Sequence, residues 1–214
     1  MLARKSLERL RTWIEIDRRA VRENYKTFRS MLDSHVKLWS VVKSNAYGHG
    51  IFTFSKIADE LGVDGFCVDS FVEAIKLRRA GIRKHLLVLG PTLPTFLPEA
   101  ASKKVVLSVS SFESLKAILG SKKAPAFHLK VDTGMHRQGF YLRDIPKVIN
   151  IIERSKNKNK LEGIFTHFAA AKNIRHQTYT ELQLLSFYEA VALFEKRGFR
   201  HLIKHAAATG ATLL

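Results

Sequence analysis

The chain has 214 residues, a formal net charge of +17 from 36 Lys and Arg against 19 Asp and Glu, and 46% apolar residues. That composition excludes a disordered chain, and the single cysteine, Cys67, excludes an internal disulfide framework and fits a reducing compartment. No apolar run approaches the roughly 20 residues of a membrane span, and MLARKSLERLRTW lacks the apolar stretch of a signal peptide, so a cytoplasmic location is expected.

The elements follow in order. Trp13, Ile14 and Ile16 predict a short strand, and Asp17 is placed to cap a helix from Arg18 to Leu32. KLWSVV then predicts a strand ending at Lys43, and IFTFSKIADELG a helix closed by Gly62. GFCVDS, HLLVLGP, VVLSVSS, AFHLKVDTG, LEGIFTHFA and HLIKHAAATG read as further strands. Between them FVEAIKLRRAG, LPTFLPEAASK, SFESLKAILG, DIPKVINIIERSK and YTELQLLSFYEAVALFEKRG read as helices. RSKNKNK is a solvated loop, because like charges repel and stay hydrated.

From Lys43 onward this is a β-α alternation with seven strands and six connecting helices, spaced as parallel crossovers require. Such a chain builds an open doubly wound sheet or a closed (β/α)8 barrel. By strand count the barrel is one βα unit short. Ligands of parallel α/β folds bind at the carboxyl ends of the strands. There stand Lys43, Asn45, Tyr47 and His49; Asp69; Lys130, Asp132, Thr133, His136 and Arg137; Thr166 and His167; and Lys204, His205 and Thr209. Lys43 follows an apolar run, and a lysine against apolar walls has a lowered pKa, so its amine is suited to a Schiff base. Tyr47 reads as a ligand contact or a packed turn residue. Arg137 reads as a fork for a phenolate or carboxylate, or as the ion-pair partner of Asp132. His167 reads as a ligand contact or a satisfied core histidine. His201 and His205 share i, i+4 spacing, but no acidic or Cys partner accompanies them, so no metal is expected. No G-x-G-x-x-G, Walker A loop or G-x-S-x-G elbow is present. Basic residues are spread over several helices without interleaved aromatics, so no specific nucleic-acid binding is expected despite the charge.

WIEID at 13–17, VVKSNAYGHG at 41–50, LKVDTGMHRQGF at 129–140, THFA at 166–169 and HAAATGATL at 205–213 together resemble the barrel domain of the alanine racemase family. The resemblance runs from about Trp13 to the last residue. It implies a (β/α)8 TIM barrel with about seven of eight strands present, forming a single pyridoxal-phosphate-binding domain over 1–214. It also implies a pyridoxal-phosphate-dependent isomerase that interconverts L-alanine and D-alanine and thereby supplies D-alanine for peptidoglycan. Lys43 would hold pyridoxal 5'-phosphate as a Schiff base and act as the base on the D-alanine side. Tyr47 would contact the cofactor, and Arg137 its phenolic oxygen and the substrate carboxylate. Lys130 matches a lysine that in many members carries a carbamate. His167 matches the histidine beside the pyridine ring, and His205 one that supports the partner of the pyridine nitrogen. Thr209 falls where a serine hydroxyl usually meets the phosphate. In the family the second base is a tyrosine of a C-terminal β-domain, contributed by the partner subunit of a homodimer.

Departures from the pattern are Ala208 in place of asparagine, Gln138 at a commonly apolar position, and AAAKN at 169–173 without the usual acidic residue. The sequence stops before the eighth strand and the β-domain, which reads as a fragment with weak or no activity alone. The alternative reading is a non-catalytic pyridoxal-phosphate-binding barrel.

Overall fold

A computed structural model describes residues 11–173 and 177–213. Helix α1 (Arg18–Ser30) begins where Asp17 accepts backbone N–H bonds from Arg19 and Ala20, at 2.8 and 3.2 Å. The alternation then runs β1 (Trp39–Val41), α2 (Ile51–Glu60), β2 (Gly65–Val68), α3 (Phe71–Arg79), β3 (His85–Val88), α4 (Leu97–Ser102), β4 (Val106–Val109) and α5 (Phe112–Gly120). It continues with β5 (Phe127–Asp132), β6 (Phe140–Tyr141), α6 (Ile145–Glu153), β7 (Leu161–Phe165), α7 (Gln177–Lys196), β8 (Ile203–His205) and α8 (Thr209–Leu213).

Seven strands pair in parallel in the order β1-β2-β3-β4-β5-β7-β8, with helices outside, as expected for the (β/α) barrel architecture. Strand β6 pairs with the end of β5, Val131 opposite Phe140, and was not foreseen because two residues carry no periodic signal. The strand expected at Trp13–Ile16 does not form. Trp13 and Ile14 are exposed and residues 12–17 have no regular structure. A strand needs a partner for its backbone groups, and none lies beside this segment among the described residues. The strand expected over HLIKHAAATG ends at His205, and Thr209 opens α8 instead. No helix among the described residues is long and apolar enough to cross a membrane.

Packing explains the curl. The outer faces of β2–β5 and β7 meet the apolar stripes of the helices, where Phe66, Phe127, Leu129, Phe187 and Phe194 are buried. Burial of each such side chain contributes about 1.5–3 kcal/mol. On the inner face, Trp39 of β1, His85 of β3, His128 of β5 and His205 of β8 form one layer from alternate strands, the pattern that fills parallel barrels. Trp39 and His205 stack at 6.0 Å, so the two outermost strands of the curl approach each other across the interior. Cys67, Leu87 and Val106 fill the space beside that layer. Burial pushes the Cys67 thiol up to about 12, which leaves it an inert core group.

Candidate active site at the carboxyl ends of the strands

Lys43 lies two residues past the end of β1, half-buried, with buried Val42 before it. The chain then makes a left-handed turn. Ser44, Asn45, Ala46 and Tyr47 have φ of 53, 56, 53 and 53°, and Gly48 has 94°. Left-handed backbone costs an L-residue roughly 1–2 kcal/mol, so four in succession hold only where neighbours enforce them. The neighbours here are identifiable. Asn45 Oδ1 accepts the Ile51 N–H at 2.9 Å and Asn45 N–H donates to Glu73 at 3.2 Å. The other Glu73 carboxylate oxygen accepts the Asp69 N–H at 3.0 Å, which ties this turn to the β2–α3 connection.

Lys130 is on β5 and only 3% exposed, its ammonium 5.7 Å from the Phe165 ring centre. Its pKa falls to about 8, first from burial, then from Arg137, with Asp132 opposing and Lys43 adding to the fall. The deep burial that the sequence suggested for Lys43 therefore belongs to Lys130. His167, after β7, is also held below the ordinary histidine range by burial, then by Arg137, Lys130 and Lys43. Lys43, Lys130, Arg137 and His167 thus share one electrostatic neighbourhood. None of the three cations has a side-chain ion pair among the described residues.

Arg137 itself is exposed. The ion pair with Asp132 that was one of its two readings is not formed. The buried Asp132 carboxylate instead accepts the backbone N–H groups of Gly134, His136 and Arg137, at 3.0, 2.9 and 3.1 Å. It shapes the loop and leaves the guanidinium uncommitted. Tyr47 is 61% exposed at the rim, and Thr209 is exposed at the start of α8. A cavity of about 440 Å³ opens beside the start of α8, lined by Met135, His167, Phe168, Lys172, Ala208 and Gly210 among others. His205 lies inside the barrel, stacked at 4.7 Å on Phe165 and in a 2.8 Å hydrogen bond with His128. Burial, then the nearby His85, holds it neutral with a pKa of about 4. His201 is exposed, with Nε2 3.3 Å from the Leu161 carbonyl, so the i, i+4 pair does not converge.

Two positioning residues escaped the sequence reading. Gln183 of α7 is 1% exposed; its amide oxygen accepts the Ala169 N–H at 2.9 Å and its nitrogen approaches Thr133 and the His167 carbonyl. Tyr179 donates to the Gly134 carbonyl at 2.6 Å. Together they clamp the loops after β5 and β7. The signal that would have found Gln183 is an uncharged polar residue within the apolar stripe of a long helix.

The sequence profile of the family described as alanine racemase, N-terminal domain, matches residues 16–214. The chain belongs to that family. Alanine racemases of Listeria innocua and Leptospira interrogans are 42% and 33% identical to it over 205 and 211 residues. In both cases 95% of this chain is covered, against 54% and 52% of the relative. The chain therefore spans about half the length of the curated relatives it matches. A crystal structure of alanine racemase from Bacillus anthracis with bound L-Ala-P superposes with a TM-score of 0.86 at 32% identity. It covers 95% of this chain and 53% of that one. A Clostridium difficile alanine racemase complex with cycloserine gives 0.86 at 29% identity, with 95% and 57% covered.

Proposed function

We propose that this chain is the cofactor-bearing barrel part of a cytoplasmic alanine racemase, holding pyridoxal 5'-phosphate on Lys43 and acting on alanine. The observation that supports this best is the cluster of Lys43, Lys130 and Arg137 at the carboxyl ends of β1 and β5, none of them in a side-chain ion pair among the described residues. Three cations with a single carboxylate, Asp132, near them fit a ligand that brings negative charge, and a phosphorylated, phenolate-bearing cofactor with a carboxylate substrate does so. The cavity that His167 lines also has polar and small residues in its wall, including Lys172, Ala208 and Gly210.

When bound, pyridoxal phosphate supplies a conjugated ring that takes up the charge left at Cα as its proton departs. The remaining work is that of side chains. Lys43 holds the cofactor and moves the α-proton on the D-alanine face. Arg137, freed because Asp132 is committed to backbone, orients the substrate carboxylate and the cofactor's phenolic oxygen. Lys130, carbamylated, exchanges a buried cation for an anion and becomes the partner Arg137 lacks. His167 faces the ring, His205 supports the shell behind it, and Tyr47 and the Thr209 hydroxyl complete the rim, Thr209 toward the phosphate. By the resemblance, the second base comes from a C-terminal β-domain of the partner subunit in a homodimer, and that β-domain lies in the part of the relatives that this chain does not match.

Borohydride reduction of the chain with pyridoxal phosphate should leave one pyridoxyl group on Lys43 by peptide mass spectrometry, and Lys43→Ala should abolish it. No adduct, or one spread over surface lysines and indifferent to Lys43→Ala, would refute the assignment.

A further inference from the structure

At the opposite, amino-terminal mouth of the barrel a second group of polar side chains converges. His85 opens β3, His128 is the second residue of β5, and Glu162 is the second residue of β7. One ligand atom from each lies within 4.8 Å of the other two, and His85 Nε2 to Glu162 Oε2 is 3.9 Å. Glu162 reaches this place because the β5–β7 register shifts between Phe127 and His128, where Phe127 faces Leu161 but His128 faces Gly163.

His128 is fully buried, yet its Nε2 has no hydrogen-bond partner, and neither does the buried Nε2 of His85. An unpaired buried polar atom costs about 1–3 kcal/mol, so two side by side call for an occupant. His128 Nδ1 and His205 Nε2 share a hydrogen bond of 2.8 Å, and in the tautomer in which His128 Nδ1 is the donor, its Nε2 carries the lone pair that a metal ion needs. Gly163 fixes the ring's position: a Cβ there would stand 2.8 Å from three ring atoms of His128, so only glycine admits the imidazole.

We propose that His85, His128 and Glu162 bind one divalent late first-row transition ion, with zinc as the reference case, at the amino-terminal mouth of the barrel. Two imidazoles and a carboxylate are a donor set for such ions, with water in the remaining position. Zinc bonds of about 2.1 Å separate neighbouring ligand atoms by roughly 3.4 Å, so the half-exposed Glu162 and His85 side chains draw in around the fixed His128. Their exposure supplies the entry path. Lys37, Arg78 and Lys160 flank the mouth and temper the affinity through repulsion that salt screens. This site is independent of the pyridoxal phosphate assignment.

The test uses the untagged 214-residue chain, stripped with chelator and titrated with Zn²⁺ by calorimetry, then with Co²⁺ for its visible absorption. One equivalent should bind with saturable Co²⁺ bands. Glu162→Gln and His85→Gln, each checked for a native circular dichroism spectrum, should weaken binding about tenfold or more. His136→Gln, an exposed histidine past the carboxyl end of β5 at the opposite mouth, should leave it unchanged. No saturable uptake, or uptake that both ligand variants retain while folded, overturns the proposal.

Discussion

Asp132 carries more of the site's geometry than its distance from the chemistry suggests. Three backbone N–H groups converge on one buried carboxylate, and bonds to a charged acceptor are about twice as strong as neutral ones. Removing the carboxylate leaves those donors to find water in a partly buried loop. Asp132→Ala should therefore lower unfolding free energy by about 2–3 kcal/mol in a denaturant titration and free the loop that aims Arg137. An unchanged midpoint would show that the loop holds itself. The cations near it behave differently. Lys130 is costly to bury, and its charge is opposed by Arg137 and Lys43, which is why a modification that removes that charge suits this position.

Among elements, the β5–β6 connection is the most constrained. The chain leaves β5 at Asp132, turns, and returns so that Phe140 lies beside Val131. Gly139 sits at that return with φ of 132°, and a Cβ there would stand 2.6 Å from Asp132 N and 2.9 Å from the Val131 carbonyl carbon. Both the backbone angle and the close approach exclude a side chain, and backbone cannot yield as a flexible side chain would. Gly139→Ala should cost about 3 kcal/mol or more, read as a lowered denaturation midpoint with the β6 pairing lost to amide exchange. The left-handed turn after Lys43 is strained in a different way: polar clamps from Asn45 and Glu73 hold it, not missing side chains.

At the scale of the molecule, a sheet of parallel strands brings one set of charged groups to each mouth. The carboxyl-end mouth collects Lys43, Lys130, Arg137 and His167, whereas the amino-end mouth collects His85, His128 and Glu162. By the resemblance, racemisation needs a second base from the half of the relatives that the chain does not match. The 214-residue chain alone should therefore turn over alanine about 10²–10⁴-fold more slowly than a full-length Listeria relative, measured by chiral chromatography. Turnover near the relative's rate would mean that a described residue, with His167 the candidate, serves as that base.

The sequence by itself determined the β-α alternation, the helix cap at Asp17, the family, and the motifs that carry Lys43, Lys130, Arg137 and His167. These signals are local, set by period, turn residues and short motifs. Tertiary structure decided what depends on several strands at once. It buried Lys130 and left Lys43 at the mouth, turned Asp132 to the backbone and not to Arg137, and left Trp13 and Ile14 without a partner strand. It also placed three ligand atoms from three separate strands side by side, away from the His201 and His205 pair whose i, i+4 spacing was weighed for a metal. Register and curl set those distances, and neither is written in any one segment.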